Sequence, residues 1–550
     1  MGVPDRFRLR VGTTVLLAAA STLVTCSAEP TRDPNSEEPV RDGRLTFASE
    51  TEPACLDPHL SGQDATAMFG RTIFDSLVAE DREGRFHPWL ASSWRVSPDR
   101  TRFTFQLRQD VRFHDGTVLD AGVVKANLDR IAALGGGSEY APTLLGPYRA
   151  TQVVDRYTAQ VDFSQPFAPF LQAASQTFLA IQSAKALRGN GTNPAVACER
   201  PVGSGPFVFA GRTRGRALEL RRNPGYNWAP RTSKHAGGAY VDQISVRFLP
   251  DHGARMAALR ERSVDLVNGV PADQLAAVRS DPNLRLLTAE QPGMAYGLHL
   301  NGSRPPLQDR RIRTALQRGL DIDGLVRTVH AKLYRRAWGP LTPATPEYHT
   351  GVERGWPTDL ALANRLLDEA GYTGRDAQAY RTRNGQRLVL DWAPPRSLRE
   401  NRGRLAVEIQ RQAAARLGIQ LVRSNQPGRT PNDFYATGDY HLADTSWVRA
   451  DPDILRGFFA SYNRPDIGGQ NLSRVRQPRL DQWLDTAART YDPTVRREAY
   501  AQAQRYVVEQ ALVIPVYVPA HTVASWGNVR GIEFDAQAYP LFYDVSVGGG

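Results

Sequence analysis

The stretch that decides the architecture reads Pro88-Trp89-Leu90-Ala91-Ser92-Ser93-Trp94-Arg95-Val96-Ser97-Pro98-Asp99. It continues through Phe103-Thr104-Phe105-Gln106-Leu107-Arg108 and ends at Val111-Arg112-Phe113-His114-Asp115-Gly116. Phe103 to Leu107 alternates apolar and polar residues, the period of a strand with one buried face. Asp115-Gly116 supplies hairpin-turn chemistry. The period then changes. Asp120 to Ala133 puts Val123, Val124, Leu128 and Ile131 on one helical face, with Asp120 as N-cap, and Gly135-Gly136-Gly137 stops the helix.

The same alternation of signals runs outward in both directions. Val153 to Phe163 reads as a hairpin and Ala168 to Ala174 as a short helix. Ala217 to Leu220 and Ile244 to Phe248 alternate as strands, and Ala254 to Leu259 is a helix leading to strand Val264 to Val267. Helices over Leu360 to Ala370 and Leu405 to Leu417 are closed by Gly371 and Gly418, and strand Ile419 to Val422 follows the second. Leu480 to Ala488 and Arg496 to Gln510 are long amphipathic helices, and Val513 to Val518 is a short apolar strand broken by Pro515. The fold class is mixed α/β, and 550 residues exceed what one core covers, so two or more lobes follow.

At the N-terminus, Arg6, Arg8 and Arg10 precede an uncharged, mostly apolar run from Val11 to Val24. That run has the length of a signal-peptide core and is too short for an ordinary membrane span. It ends at Leu23-Val24-Thr25-Cys26, which looks like a bacterial lipobox with Cys26 lipidated, although Thr25 departs from the usual Gly, Ala or Ser. The other reading is an ordinary secretory signal cut nearby. Ser27 to Arg44 is too polar to bury a core and reads as a flexible tether. An exported chain with Cys26 lipidated leaves Cys55 and Cys198, both in loop-like segments, to pair as a disulfide or to remain as two buried thiols. Closing so long a loop contributes about 4–5 kcal/mol at best in the chain-entropy model.

The net charge is +11, which first suggests nucleic acid. Only Lys125, Lys185, Lys234 and Lys332 are lysines, and the arginines are scattered among 57 acidic residues in short clusters such as Arg396 to Arg404. Scattered charge reads as solvated surface, so no nucleic-acid partner is expected. Catalytic signatures are missing as well. His114-Asp115-Gly116 has no nucleophile or metal set nearby and reads as a turn. Gly203-Ser204-Gly205-Pro206 lacks the spacing of a nucleophile elbow and reads as a tight turn. Three residues before the lysines stand Gly122, Gln182, Arg231 and Val329, which excludes Ser-x-x-Lys. Ten histidines without ligand spacing give no zinc site, and no phosphate loop occurs. The expectation is a binding protein, not an enzyme, with no metal and no cofactor.

The opening stretch resembles the signature of extracellular solute-binding protein family 5, which includes the oligopeptide-, dipeptide- and nickel-binding proteins of ABC importers. Ordered matches extend the resemblance: Phe74 to Val78, Val202 to Phe207, Arg222 to Tyr226, Asn301 to Pro306, Arg313 to Leu325, Leu366 to Tyr372, Val407 to Ile419 and Leu480 to Val518. It implies a two-lobed periplasmic-binding-protein-like fold of class II, with the first lobe split into two subdomains and a ligand cleft between the lobes. The organisation expected is a signal with lipobox over 1–26, a tether over 27–44, lobe I over 45–289 with a subdomain at about 77–202, lobe II over 290–510, and a return to lobe I over 511–550. The partners implied are a small ligand, with a peptide first and a nickel or other metal chelate or small metabolite as the alternative, and the permease subunits of an ABC transporter. The chain is expected to act as a monomer, held by lipid at the outer face of a bacterial cell membrane.

Thr445-Ser446-Trp447-Val448-Arg449-Ala450-Asp451-Pro452-Asp453 is the leading ligand segment. In peptide-binding relatives, an Asp after this Trp pairs with the peptide α-amino group. Here the spacing from Trp447 to Asp451-Pro452 is shorter and Arg449 intervenes, so Arg449 becomes a candidate fork for a ligand carboxylate. The alternative is that Asp451-Pro452-Asp453 caps a helix from Ile454 to Phe459 while Arg449 faces solvent. The family's cleft positions add Glu50, Tyr140, Gln176, Tyr296 and Asn301. Nickel-chelate binders carry an Arg in the segment matching Ser175 to Thr177. This chain has none there, which leaves Arg149 or Arg449 for that role.

Overall fold

The computed structural model describes Gly2 and residues 39–190, 193–331 and 333–548. The expected signal beyond Gly2, Cys26 and the tether up to residue 38 lie outside the described residues. From Pro39 on, the chain forms one compact unit. No described helix is long and apolar enough to cross a membrane.

Three sheets organise that unit. The largest has seven strands in the order Leu284–Glu290, Ala520–Trp526, Leu266–Asn268, Arg44–Ser49, Gln243–Phe248, Ala217–Arg222 and Phe207–Thr213. Arg44–Ser49 runs parallel to both of its neighbours, and the other pairs are antiparallel. A four-stranded antiparallel sheet holds Ala91–Val96, Arg102–Leu107, Thr158–Phe163 and Tyr148–Asp155. The alternation read from the sequence is realised there, with Phe103, Phe105 and Leu107 buried and Thr104 and Gln106 on the other face. The helix Ala121–Leu134 packs on this sheet, and Asp120 caps it by accepting from the Val123 N–H at 2.9 Å. The third sheet has five strands, Gln420–Arg423, Val389–Trp392, Leu442–Val448, Gly293–Leu300 and Val513–Tyr517.

The chain passes between the largest sheet and the five-stranded one twice. Gln291-Pro292 carries it across, Val518-Pro519 brings it back, and the Gln291 N–H donates to the Pro519 carbonyl at 3.0 Å. The return expected at 511 therefore falls at 518–519. The reason is the run Val513–Tyr517, which is buried throughout and pairs with Gly293–Leu300 before the chain leaves. That strand also continues through Pro515, because it is the edge of its sheet and a missing N–H costs no ladder bond there.

The two loops that mimic catalytic motifs are structural. The Gly116 N–H closes the turn onto the Phe113 carbonyl at 2.9 Å. His114 docks on the Gly203–Gly205 loop, with its Nε2 3.0 Å from the Gly205 carbonyl. Ser204 is buried and donates to Asp75 Oδ2 at 2.8 Å. Cys55 and Cys198 form the expected disulfide, with Cα atoms 4.4 Å apart.

Candidate ligand cleft between the lobes

The site is built where the five-stranded sheet meets the crossing segments. Leu442–Val448 pairs with Gly293–Leu300, with Val448 opposite Gly293 and Trp447 opposite Met294. Gly293 has φ +107°, and a Cβ there would lie 2.4 Å from the Trp447 carbonyl oxygen, so only glycine fits. The chain then leaves the sheet, and the Arg449 N–H donates to the Pro292 carbonyl at 3.1 Å. The sheet thus delivers Trp447 to Asp453 to the junction of the lobes.

Trp447 fills this junction. Its ring centroid lies 4.9 Å from that of Tyr140 and 5.7 Å from that of Phe458. A Cβ on Gly62 would sit 2.9 Å from the indole. Arg396 lies over both Tyr435 (4.6 Å) and Trp447 (5.8 Å), and among the described residues its one hydrogen bond is a long one to the amide oxygen of Gln470 at 3.4 Å.

Arg449 has no exposure and does not face solvent. Its Nε donates to Gln172 Oε1 at 3.1 Å, on the helix Phe170–Ser175, and its Nη1 to Asp453 Oδ2 at 3.1 Å. Asp453 is shared, since Arg456 also donates to both of its oxygens at 2.8 Å. Arg449 Nη2 and Tyr140 Oη are buried beside one another, and among the described residues neither makes a hydrogen bond of ordinary geometry. Burial pushes the Tyr140 hydroxyl up to about 12, so it stays a donor.

Asp451 behaves differently. Arg496 Nη2 donates to both of its oxygens, at 2.8 and 2.7 Å, and the Asp453 N–H donates at 2.7 Å. Burial alone would raise its pKa, but Arg496 and Arg449 outweigh burial and hold the carboxyl below the usual range. Its hydrogen-bonding capacity is thereby taken up inside the protein. Asp453 precedes the helix Ile454–Phe459 but makes no side-chain cap bond, because both of its oxygens serve arginines.

The remaining expected residues divide. Gln176 Nε2 donates to Gln172 Oε1 at 2.9 Å, directly behind the Arg449 contact. Glu50 lines a separate cavity of about 100 Å³ with Arg255, His330, Tyr334, Arg399, Glu400 and His521. Burial raises its pKa, and Arg255 Nη2 lies 3.6 Å away. Tyr296 is fully buried, donates to Asp444 Oδ2 at 2.8 Å and stacks on Tyr517 at 4.7 Å. Asn301 holds a turn: its amide donates to the Tyr440 carbonyl at 2.9 Å and its oxygen accepts from Ser303. Arg149 is exposed on the strand Tyr148–Asp155. Tyr140, Gln176, Trp447 and Arg449 therefore come together, while Tyr296 and Asn301 make their bonds within and beside the five-stranded sheet.

The sequence reading missed a second ionic cluster inside the run Arg396 to Arg404, which it took for solvated surface. Arg399 pairs with Asp64 on the helix Asp64–Ile73, and Tyr539 donates to the same Asp64 at 2.8 Å. Arg402 Nη2 donates to Glu400 at 2.7 Å and to Ser446 Oγ at 2.7 Å. Burial raises the Glu400 pKa, but Arg402 and Arg399 outweigh it and bring the carboxyl down to about 2. Glu400 and Asn401 both take left-handed φ values, +58° and +56°, a strained turn that carries the buried Glu400 carboxylate while Asn401 is exposed. The only sequence signal was the density of charge itself.

This fold and junction define a two-lobed binding protein of class II. A family model described as bacterial extracellular solute-binding proteins, family 5 Middle, matches residues 85–468. The chain belongs to that family. Among curated proteins, it is similar to the probable D,D-dipeptide-binding periplasmic protein DdpA of Escherichia coli (strain K12), at 25% identity over 528 residues, covering 93% of this chain and 95% of the relative. The glutathione-binding protein GsiB of Salmonella paratyphi A is also 25% identical, covering 86% and 89%. Among solved structures, AgaA from A. tumefacien R10 in complex with agropinic acid superposes with a TM-score of 0.80 at 23% identity, covering 92% of this chain and 99% of that one. DppA from Helicobacter pylori in complex with the peptide STSA does so with 0.80 at 23%, covering 92% and 98%.

Proposed function

We propose that the protein captures a small solute outside the cell, closes two lobes over it and delivers it to the permease of an ABC importer. It acts as a monomeric binding protein and not as an enzyme, tethered to the outer face of the membrane by lipid on Cys26. The lobes are assigned as 45–289 and 290–517, with the return to the first lobe from 518 on. A peptide is the first ligand class, in keeping with the D,D-dipeptide, glutathione and STSA ligands in the names of its relatives.

The observation that carries this reading is Arg449. A guanidinium with no exposure, bonded across the junction and with one nitrogen that makes no hydrogen bond of ordinary geometry among the described residues, offers a charge-assisted donor to an anion entering between the lobes. The ligand is therefore held by a carboxylate on Arg449, beside Trp447 and Tyr140, while Asp451 is held by Arg496 and does not take an α-amino group. Closure follows from differential affinity: a solute touching both lobes favours the closed state by the contacts it gains there. The same anchor suits a carboxylate-bearing chelate or small metabolite, which remains the second reading.

Native mass spectrometry of undenatured protein tests this. A set of peptide masses supports the first reading. A single metal-containing mass replaces it with the chelate, and substrate turnover in place of stoichiometric binding overturns both.

A further inference from the structure

A second and larger cavity, of about 430 Å³, lies away from Arg449. It opens between the helix Asp64–Ile73, the paired strands Val78–Glu80 and Phe86–Pro88, and the C-terminal run from Glu533 to Asp544. A partition separates it from the cleft. Gln172 gives its oxygen to Arg449 Nε, and its amide nitrogen donates to Glu80 at 3.2 Å. Gln537, on the cavity wall, accepts the Ala450 N–H at 3.0 Å.

The lining has two parts. Trp89, Tyr226, Phe542 and Tyr543 supply aromatic surface. Most charged groups of the rim are matched: Asp81 accepts from Arg85 at 2.8 Å and lies 2.7 Å from His87 Nε2, and Asp544 lies 2.7 Å from His235 Nδ1. Arg71 is fixed in the wall, stacked over Trp89 at 4.9 Å and donating to Ser76 Oγ and the Ser175 carbonyl. Glu80 and Asp535 are exceptions. Only neutral groups donate to Glu80, Gln172 at 3.2 Å and Ser175 Oγ at 3.3 Å, and it forms no ion pair among the described residues. Asp535, also on the lining, accepts the N–H groups of Gln537 and Tyr539 at 2.9 and 2.8 Å and likewise has no ion pair. Burial, with Asp451 and Asp535 nearby, pushes the Glu80 carboxyl up to about 8, the state of a partly desolvated acid with no cation.

We propose that this cavity is a second ligand site, distinct from the cleft, which takes a small organic cation with its ammonium on Glu80 and its apolar body against Trp89 and Phe542. The volume falls in the range of small-molecule sites, about 300–1,000 Å³, and a carboxylate beside aromatic faces is the pairing that selects an ammonium over a neutral or anionic isostere.

The probe is 2-phenylethylamine, titrated calorimetrically into the intact protein at pH 8, with 2-phenylethanol as the neutral isostere. The amine should bind one to one, and the alcohol at least about tenfold more weakly. Glu80→Gln should weaken the amine by about tenfold, and Leu541→Trp, which fills the cavity without changing charge, should abolish binding. Trp447→Leu should leave amine affinity within about twofold, because its ring packs on Tyr140 and Phe458 and shares no partner with Glu80. Absence of amine binding, equal binding of the alcohol, indifference to both cavity substitutions, or loss in Trp447→Leu would each overturn the site. If Glu80→Gln does not fold, Leu541→Trp and the alcohol still decide the matter.

Discussion

Two arginine–carboxylate clusters flank the junction of the lobes, and they spend their charges differently. Around Asp64 and Glu400, the carboxylates match the arginines, and Arg399 reaches across to Asp64. Around Arg449, the charges are shared unevenly: Asp453 serves two arginines, Arg496 holds Asp451 and lies 3.7 Å from Glu347, and among the described residues one nitrogen of Arg449 has no hydrogen bond of ordinary geometry. A matched cluster holds two surfaces together and gives little to a newcomer. A cluster with a guanidinium nitrogen left over keeps an anchor in reserve. The first therefore reads as a latch and the second as the ligand's seat.

The comparison breaks most visibly at Arg449. Arg449→Ala should lower affinity for the solute recovered from undenatured protein by about a hundredfold, whereas Asp451→Asn should cost less than about tenfold. Calorimetry on the two variants checks the order, and the reverse order returns the anchoring role to Asp451. Next comes the latch. Asp64→Ala leaves Arg399 without its partner across the lobes and should weaken the same solute about fivefold to tenfold by favouring the open state. Small-angle scattering of the ligand-free variant should report a larger radius of gyration than the parent.

The latch also has a predictable pH response. Burial would raise the pKa of Asp64 and Glu400, but facing arginines outweigh it, lowering Asp64 and bringing Glu400 down to about 2 from 4.5. A carboxyl with a depressed folded pKa stabilises the folded, closed form above its unfolded pKa and loses that contribution as pH falls through the folded value. Closure should hold from neutral pH to about 4.5 and fade between there and about 2, as followed by scattering. Opening between pH 7 and 5 would assign the latch to other groups. The smallest effect on binding belongs to Asn301→Ala. It should cost about 1–2 kcal/mol in urea denaturation, because it removes a buried turn, and leave solute affinity unchanged.

Much of the fold was legible because its signals are local. Asp120 caps a helix three residues away, Phe103 to Leu107 carries its own period, and Gly418 ends the helix beside it. The expectation of export with Cys26 lipidated left Cys55 and Cys198 to each other, and the bond is present. The site was legible only as a neighbourhood. Trp447, Arg449 and Tyr140 were singled out and do converge, but Asn301 and Tyr296, singled out as cleft positions too, bond to the Tyr440 carbonyl and to Asp444 instead. Arg399 and Arg402 looked like solvated charge because a run of arginines carries no mark of burial.

The sequence by itself determined the element types, because period, capping and turn chemistry act over a few residues, and its resemblance to the family pointed to the two-lobed class and the segment from Trp447 to Asp453. Tertiary structure alone decided which charge in that segment is spare. Arg496 takes Asp451 from 45 positions away, and Gln172 meets Arg449 from 277 away. Such pairings depend on how the lobes meet, and no local pattern encodes them.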